Sequence, residues 1–132
     1  MRAVIREAIV NDAALILLGV SAEGTLSGDV DTPAVTPFLN LKWGTTNPAP
    51  FGSAAQQTTL VIWVHDKPGD YDRIDSICRR LRVLLPSLVG LQDLYDYVSQ
   101  VAWTGDSLDL QDDGHRTITR QCNFTLNGSM IA

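Results

Sequence analysis

The chain is short of the residues that usually announce chemistry: 132 residues contain two cysteines and two histidines. Two cysteines, Cys78 and Cys122, are too few for the disulfide framework of a small secreted scaffold. Both fall on apolar faces of expected regular elements and read as small buried hydrophobes, a disulfide being open to them only if helix and strand touch. His65 and His115 have no Cys or His at ligand spacing, so no structural zinc is expected. Basic residues are also few, 10 against 15 acidic, for a net charge of -5. A duplex-binding protein ordinarily carries a basic patch, because phosphate neutralisation supplies most of its non-specific affinity. None is visible. The Ala14–Leu18 run is too short to span a bilayer, and Glu7, Asn11 and Asp12 interrupt the start as a signal peptide. A soluble, intracellular chain with no membrane partner is the expectation. Nucleophile elbow, phosphate loop and dinucleotide fingerprint are all missing, so no catalytic residue, metal or cofactor is assigned.

What is present suits one globular domain over residues 1–132, 45% apolar and large enough for a core without disulfides or metals. The stretch from Thr58 to Leu85 organises it. Leu60 to Val64 is apolar on both alternating faces, as for a strand covered on two sides. Asp66-Lys67-Pro68-Gly69 is a turn, and Asp70 is placed as the N-cap of the helix that follows. Ile74, Ile77, Cys78, Leu81, Leu84 and Leu85 form its inner face, and Pro86 stops it. Arg73, Arg79, Arg80 and Arg82 lie largely outside that face.

Upstream, Ile5, Ile9, Ala13, Ile16 and Leu17 give one helical stripe from about Arg2 to Leu18, with Gly19 as terminator. Two long polar loops, at about 20–37 and 44–57, flank a half-buried strand from Phe38 to Trp43. That strand is placed to project from the body as part of a hairpin. Downstream, Val98 to Leu110 reads as a strand interrupted near Gly105, with Val101 and Trp103 on one face and Val98 on the other. Asp112-Asp113-Gly114 is a hairpin turn. The last strand turns Ile118, Cys122, Phe124 and Leu126 inward, with Arg120 breaking that face at a sheet edge, by snorkelling, or by pairing with an aspartate. The expected fold is therefore α+β: a four-stranded, mostly antiparallel sheet with two helices packed on one face, in the order α-β-β-α-β-β.

The one acidic cluster, Asp66, Asp70, Asp72 and Asp75, lacks the spacing of a calcium loop. Turn formation and helix capping explain it more simply than a metal-dependent activity, which stands as the distant alternative.

The N-terminal helix, the strand LVIWVHD leading into IDSICRRLRVLL, and the closing VAWTGDSLDLQDDGHRTITRQCNFTL together resemble the tail terminator proteins of long-tailed bacteriophages, also called tail completion or minor tail protein U-like proteins. The resemblance covers most of the chain. It implies a structural protein of the virion neck, assembled in the host cytoplasm. Such a protein forms a homohexameric ring that caps the head-proximal end of the tail tube and stops its polymerisation. It then offers a surface to a head completion or connector protein, and DNA passes through the lumen without specific binding. The implied partners are therefore a second copy of the chain, the tube protein and the connector. The neighbouring alternative is a head completion or stopper protein. On this reading, subunit or partner contacts are expected at Gly28, Pro48 and Phe51, at Asp112, Asp113 and Arg116, and on the helix face bearing Arg79, Arg80 and Arg82.

Overall fold

A computed structural model describes residues 2–28, 35–48, 55–92 and 96–130. Among them the order is α1 (Arg2–Val10), α2 (Ala13–Leu17), β1 (Thr25–Ser27), β2 (Phe38–Pro48), β3 (Ala55–Asp66), α3 (Asp72–Leu84), a 3-10 turn (Leu85–Ser87), β4 (Asp96–Asp106), β5 (Leu110–Asp112) and β6 (Thr117–Met130). The α+β class holds, but the layout differs from the expected four strands and two helices. The described residues form one six-stranded sheet, ordered β1-β2-β3-β6-β4, with β5 pairing β6 beyond the end of β4.

Two local causes account for two of the extra elements, α2 and β1. First, the N-terminal stripe is not one helix. Asp12 leaves the helical conformation and its side chain accepts from the Leu15 N–H at 3.1 Å, starting a second helix. That helix closes at Gly19 (φ 96°), with Val20 N–H donating to Leu15 O and Gly19 N–H to Ile16 O, the paired bonds of a Schellman end. The break rotates the second half of the stripe. Ile5, Ile9 and Leu15 are fully buried, whereas Ile16 and Leu17 are 52% and 88% exposed. Second, Thr25–Ser27, inside the expected polar loop at about 20–37, is a strand running parallel to β2. Arg6 fixes it from α1, donating to Thr25 O at 2.9 Å and Ala22 O at 2.7 Å.

The ladder β3–β6 is the spine. It is antiparallel and runs unbroken from Ala55 opposite Ser129 to Asp66 opposite Ile118. Leu60, Ile62 and Val64 from β3, and Cys122, Phe124 and Leu126 from β6, are buried in one core with Ile5, Ile9, Ile74, Ile77 and Leu81 of the helices. Val61 and Trp63 point the other way and are only half-buried. The expectation of cover on both faces fails here. The apolar character of β3 on its second face serves a sheet surface that no helix of the described residues covers.

The strand after the 3-10 turn also departs from simple alternation. Val98 pairs Gly128 while Gln100 pairs Asn127, so Ser99 is an extra residue. The bulge brings Val98 and Val101 to the same core face, both under 5% exposed. A second slip between Trp103 and Gly105 turns Asp106 towards Cys122. The strand expected to project, Phe38–Trp43, does not do so: Phe38 to Leu41 are buried in the sheet. The arm that extends beyond the core is its continuation, residues 44–48, exposed although Thr46–Pro48 remain paired with Gln56–Thr58.

Asp12 has a second partner. Arg80 grips its carboxylate through two nitrogens, at 2.9 and 2.7 Å, joining α2 to α3. That pair, with the Leu15 N–H, holds the Asp12 carboxyl below the usual aspartate range against the opposing effect of burial. Asp12→Ala should cost about 1 kcal/mol or more of stability through the lost cap. Asp12→Asn keeps the cap acceptor and should fall between the variant and the parent. Urea denaturation of the three proteins checks the order.

Candidate functional site

The described residues singled out for contact fall into four separate regions, at the two ends of the sheet, on its β1 edge and on the helix layer. At one end of β3, His65 pairs Phe38 on one side and Thr119 on the other. The β5–β6 tip sits beside this end, with the Asp112 carboxylate accepting from the His115 N–H at 3.0 Å. Arg116 takes φ 56°, a left-handed turn position unusual for a residue with a side chain. Asp112, Asp113 and Arg116 line a cleft of about 240 Å³ with Pro68 and Gln111. At the other end of the sheet, Pro48 pairs Gln56, which pairs Gly128. Phe51, expected beside Pro48, lies outside the described residues. From His65 to Gln56 the strand spans roughly 30 Å. The two sets of tips therefore belong to opposite ends of the molecule.

Gly28 lies between them on the β1 edge. Its N–H donates to Leu41 O at 3.3 Å, and it lines a cleft with Arg2, Lys42 and Trp43. The Arg2 guanidinium stands 5.8 Å from the Trp43 ring centroid.

On the helix layer, two of the three arginines already have partners within the chain. Arg80 holds Asp12, and Arg82 donates to Asp106 at 3.0 Å while its guanidinium lies 4.0 Å from the Trp103 ring centroid. Trp103 closes that triangle, its indole N–H donating to the other Asp106 oxygen at 2.9 Å. Arg79 is exposed, with no ion pair among the described residues. It is the arginine available for a neighbour.

The acidic cluster does not converge. Asp66 is buried and chelated by Arg73 at 2.8 and 2.6 Å. Burial raises its pKa, but those bonds and the Lys67 N–H outweigh it and leave the carboxyl below its ordinary value. Asp70 accepts from the Asp72 N–H at 3.1 Å, one residue earlier than a true helix cap, so the N-cap position falls to Tyr71 instead. Asp75 is drawn off to Arg120, which also holds Asp109. Arg120 thus breaks the inward face of β6 because it is paired with two aspartates, the third of its expected fates. Burial works against its charge, yet the two carboxylates raise its pKa.

Two constellations escaped the sequence pattern. One is aromatic. His65 is buried and stacked on Phe38 with ring centroids 4.3 Å apart, His115 stands edge-on at 5.2 Å, and Thr117 Oγ1 is hydrogen-bonded to His65 Nδ1 at 2.8 Å. The other joins Cys78 of α3, Cys122 of β6 and Asp106 of β4, whose ligand atoms lie within 4.8 Å of one another. Each cysteine was legible as inward-facing. Their meeting depends on the phase of α3 over β6, and that of Asp106 on the second β4 bulge, which no local pattern encodes.

No family model matches the sequence, and no curated protein sequence matches it. The fold is shared with solved structures. A chain of the virion of native gene transfer agent (GTA) particle superposes with a TM-score of 0.76 at 11% identity, over 98% of this chain and 94% of that one. A second solved chain gives 0.52 at 14% identity, over 100% of this chain and 96% of the other. The likeness extends along almost the whole length of both chains.

Proposed function

We propose that the protein is a structural component of a phage-like virion, and within it the tail terminator: a ring of about six copies that caps the head-proximal end of the tail tube and receives the head's connector. The observation that carries this reading is the fold shared end to end with a chain of the gene transfer agent virion. The arrangement of surfaces supports the finer role. A ring subunit standing between tube and head needs two unlike axial ends and a lateral contact. This chain has the Asp112–Arg116 tip at one end of its sheet and the Pro48 arm at the other, with Arg79 on the helix layer between. A net charge of -5 suits a lumen through which DNA passes without being held.

Mass photometry and negative-stain imaging of the protein, alone and mixed with tube protein, test the reading. Rings of about six subunits that co-sediment with tubes are expected. Monomers in both conditions would refute it, and binding to portal-side proteins but not to tubes would assign the head completion role instead. Arg79→Glu should weaken ring formation by roughly tenfold while leaving the circular dichroism spectrum unchanged.

A further inference from the structure

We infer that Cys78 and Cys122 are a latent cross-link that closes into a disulfide when the protein meets an oxidant, tying α3 to the central strand. The two sulfurs lie 2.8 Å apart across the helix–sheet interface. Both residues are free thiols, 2% and 0% exposed, carried by elements that already pack together. Bond formation therefore needs the two sulfurs to approach by less than about 1 Å. Neither residue is required by the surfaces assigned above.

The surroundings give the two sulfurs different roles. Cys122 donates its thiol hydrogen to Cys78 and faces the Asp106 carboxylate, and the contact with Cys78, burial and Asp106 all raise its pKa. Asp106 is itself anchored by Arg82 and Trp103, so it cannot swing away. Cys78, the less enclosed of the two, is the attacking sulfur. With hydrogen peroxide as oxidant, the Cys78 thiolate takes one peroxide oxygen as a sulfenic acid, and the hydroxide that leaves combines with the proton Cys78 gave up. The Cys122 sulfur then attacks the sulfenic sulfur, and the sulfenic OH departs as water with the Cys122 proton. Two thiols and one peroxide give one disulfide and two waters.

A metal ion is the rival occupant of the same cluster. Two thiols and a carboxylate supply three ligands, one short of a closed tetrahedral zinc site, and the carboxylate is already engaged by Arg82 and Trp103. The cross-link is favoured by the contact between the sulfurs. It also has an occasion if the protein is a virion component, since particles assembled in a reducing cytoplasm are released into an oxidising medium. The chemistry itself does not depend on that reading.

The test uses the purified wild-type protein, before and after hydrogen peroxide, with intact-mass spectrometry and thiol counting in denaturant. The expected product is a monomer about 2 Da lighter with no titratable thiol, restored by dithiothreitol. Peptide mapping should find the Cys78–Cys122 linkage, and the melting temperature should rise by roughly 10 °C, as for a closed loop of this length. Cys78→Ser and Cys122→Ser should each abolish the mass loss. Retention of both thiols, addition of oxygen without a cross-link, or a disulfide-linked dimer would overturn the inference. So would stoichiometric zinc carried through purification and lost on chelation. None of these readouts involves ring formation, so the outcome separates from that of the assembly experiments.

Discussion

Ile62→Ala is expected to destabilise the protein by about 3–4 kcal/mol, the largest effect of any single truncation proposed for the described residues. Ile62 is fully buried at the middle of β3, opposite Leu41 on one side and Cys122 on the other. Both flanking strands are held by their ladders and cannot collapse into the space vacated by three carbons. For a domain whose whole stability is about 5–15 kcal/mol, such a loss is a large fraction. The same strand supplies the control in its own sequence, because Val61 is half-buried on the opposite face and should lose roughly 1 kcal/mol or less as alanine. Leu17→Ala, at 88% exposure, should stay within about 0.5 kcal/mol of the parent. Urea midpoints for the three variants decide it. Equal losses at Ile62 and Leu17 would mean that the helix break at Asp12 is misplaced.

Acidification from pH 7.5 to 4.5 is expected to remove about 2 kcal/mol of stability through His65. Burial is the main cause that lowers the His65 pKa from 6.5 to about 4, the attraction of Asp112 opposing it and the neighbouring His115 and Lys42 adding to it. The unfolded chain takes up a proton near pH 6.5, whereas the folded protein does not until about pH 4. In that window the unfolded state holds more protons, so stability falls as the pH falls. Taken whole, the gap is worth about 3 kcal/mol, and solvent near the β5–β6 tip reduces it. Asp12 and Asp66 act elsewhere. Their pKa values are already depressed, so their contribution persists above the ordinary carboxylate range and is lost only on further acidification. His65→Gln keeps a polar partner for Thr117 and removes the titration. It should be less stable at pH 7.5 yet nearly flat from there to pH 4.5. A parallel fall in both proteins would assign the acid loss to another group.

The legible parts of this fold are those decided by a local period. The inner face of α3 and the inward face of β6 follow from residues spaced for one covered face, and the order strand, turn, helix around Pro68 is reproduced, although β3 is covered on one face where two were expected. What escaped was set by geometry between distant segments. Thr25–Ser27 is too short and polar to read as a strand, and becomes one because β2 offers it an edge. Asp12 stood at the head of an apolar run, a helix-start signal that the longer stripe from Ile5 to Leu17 overrode. The bulge at Ser99 inverted the faces of β4, and a single extra residue leaves no mark in composition. The candidate surfaces show the same division. Turn residues located the tips, but only the fold reveals that Arg80 and Arg82 are already engaged and that Arg79 has no ion pair among the described residues.

The central strand β6 follows every other element in chain order, and this sets when the molecule can become stable. Until it is made, β3 carries a bare edge and α3 has half a floor, because Cys122, Phe124 and Leu126 are the other half. Thr58 waits for Leu126, its ladder partner, for roughly 3–14 s at ordinary rates of synthesis. During that interval β3 can pair with β2, but its other edge and the core face it shares with β6 stay open until the last strand is made.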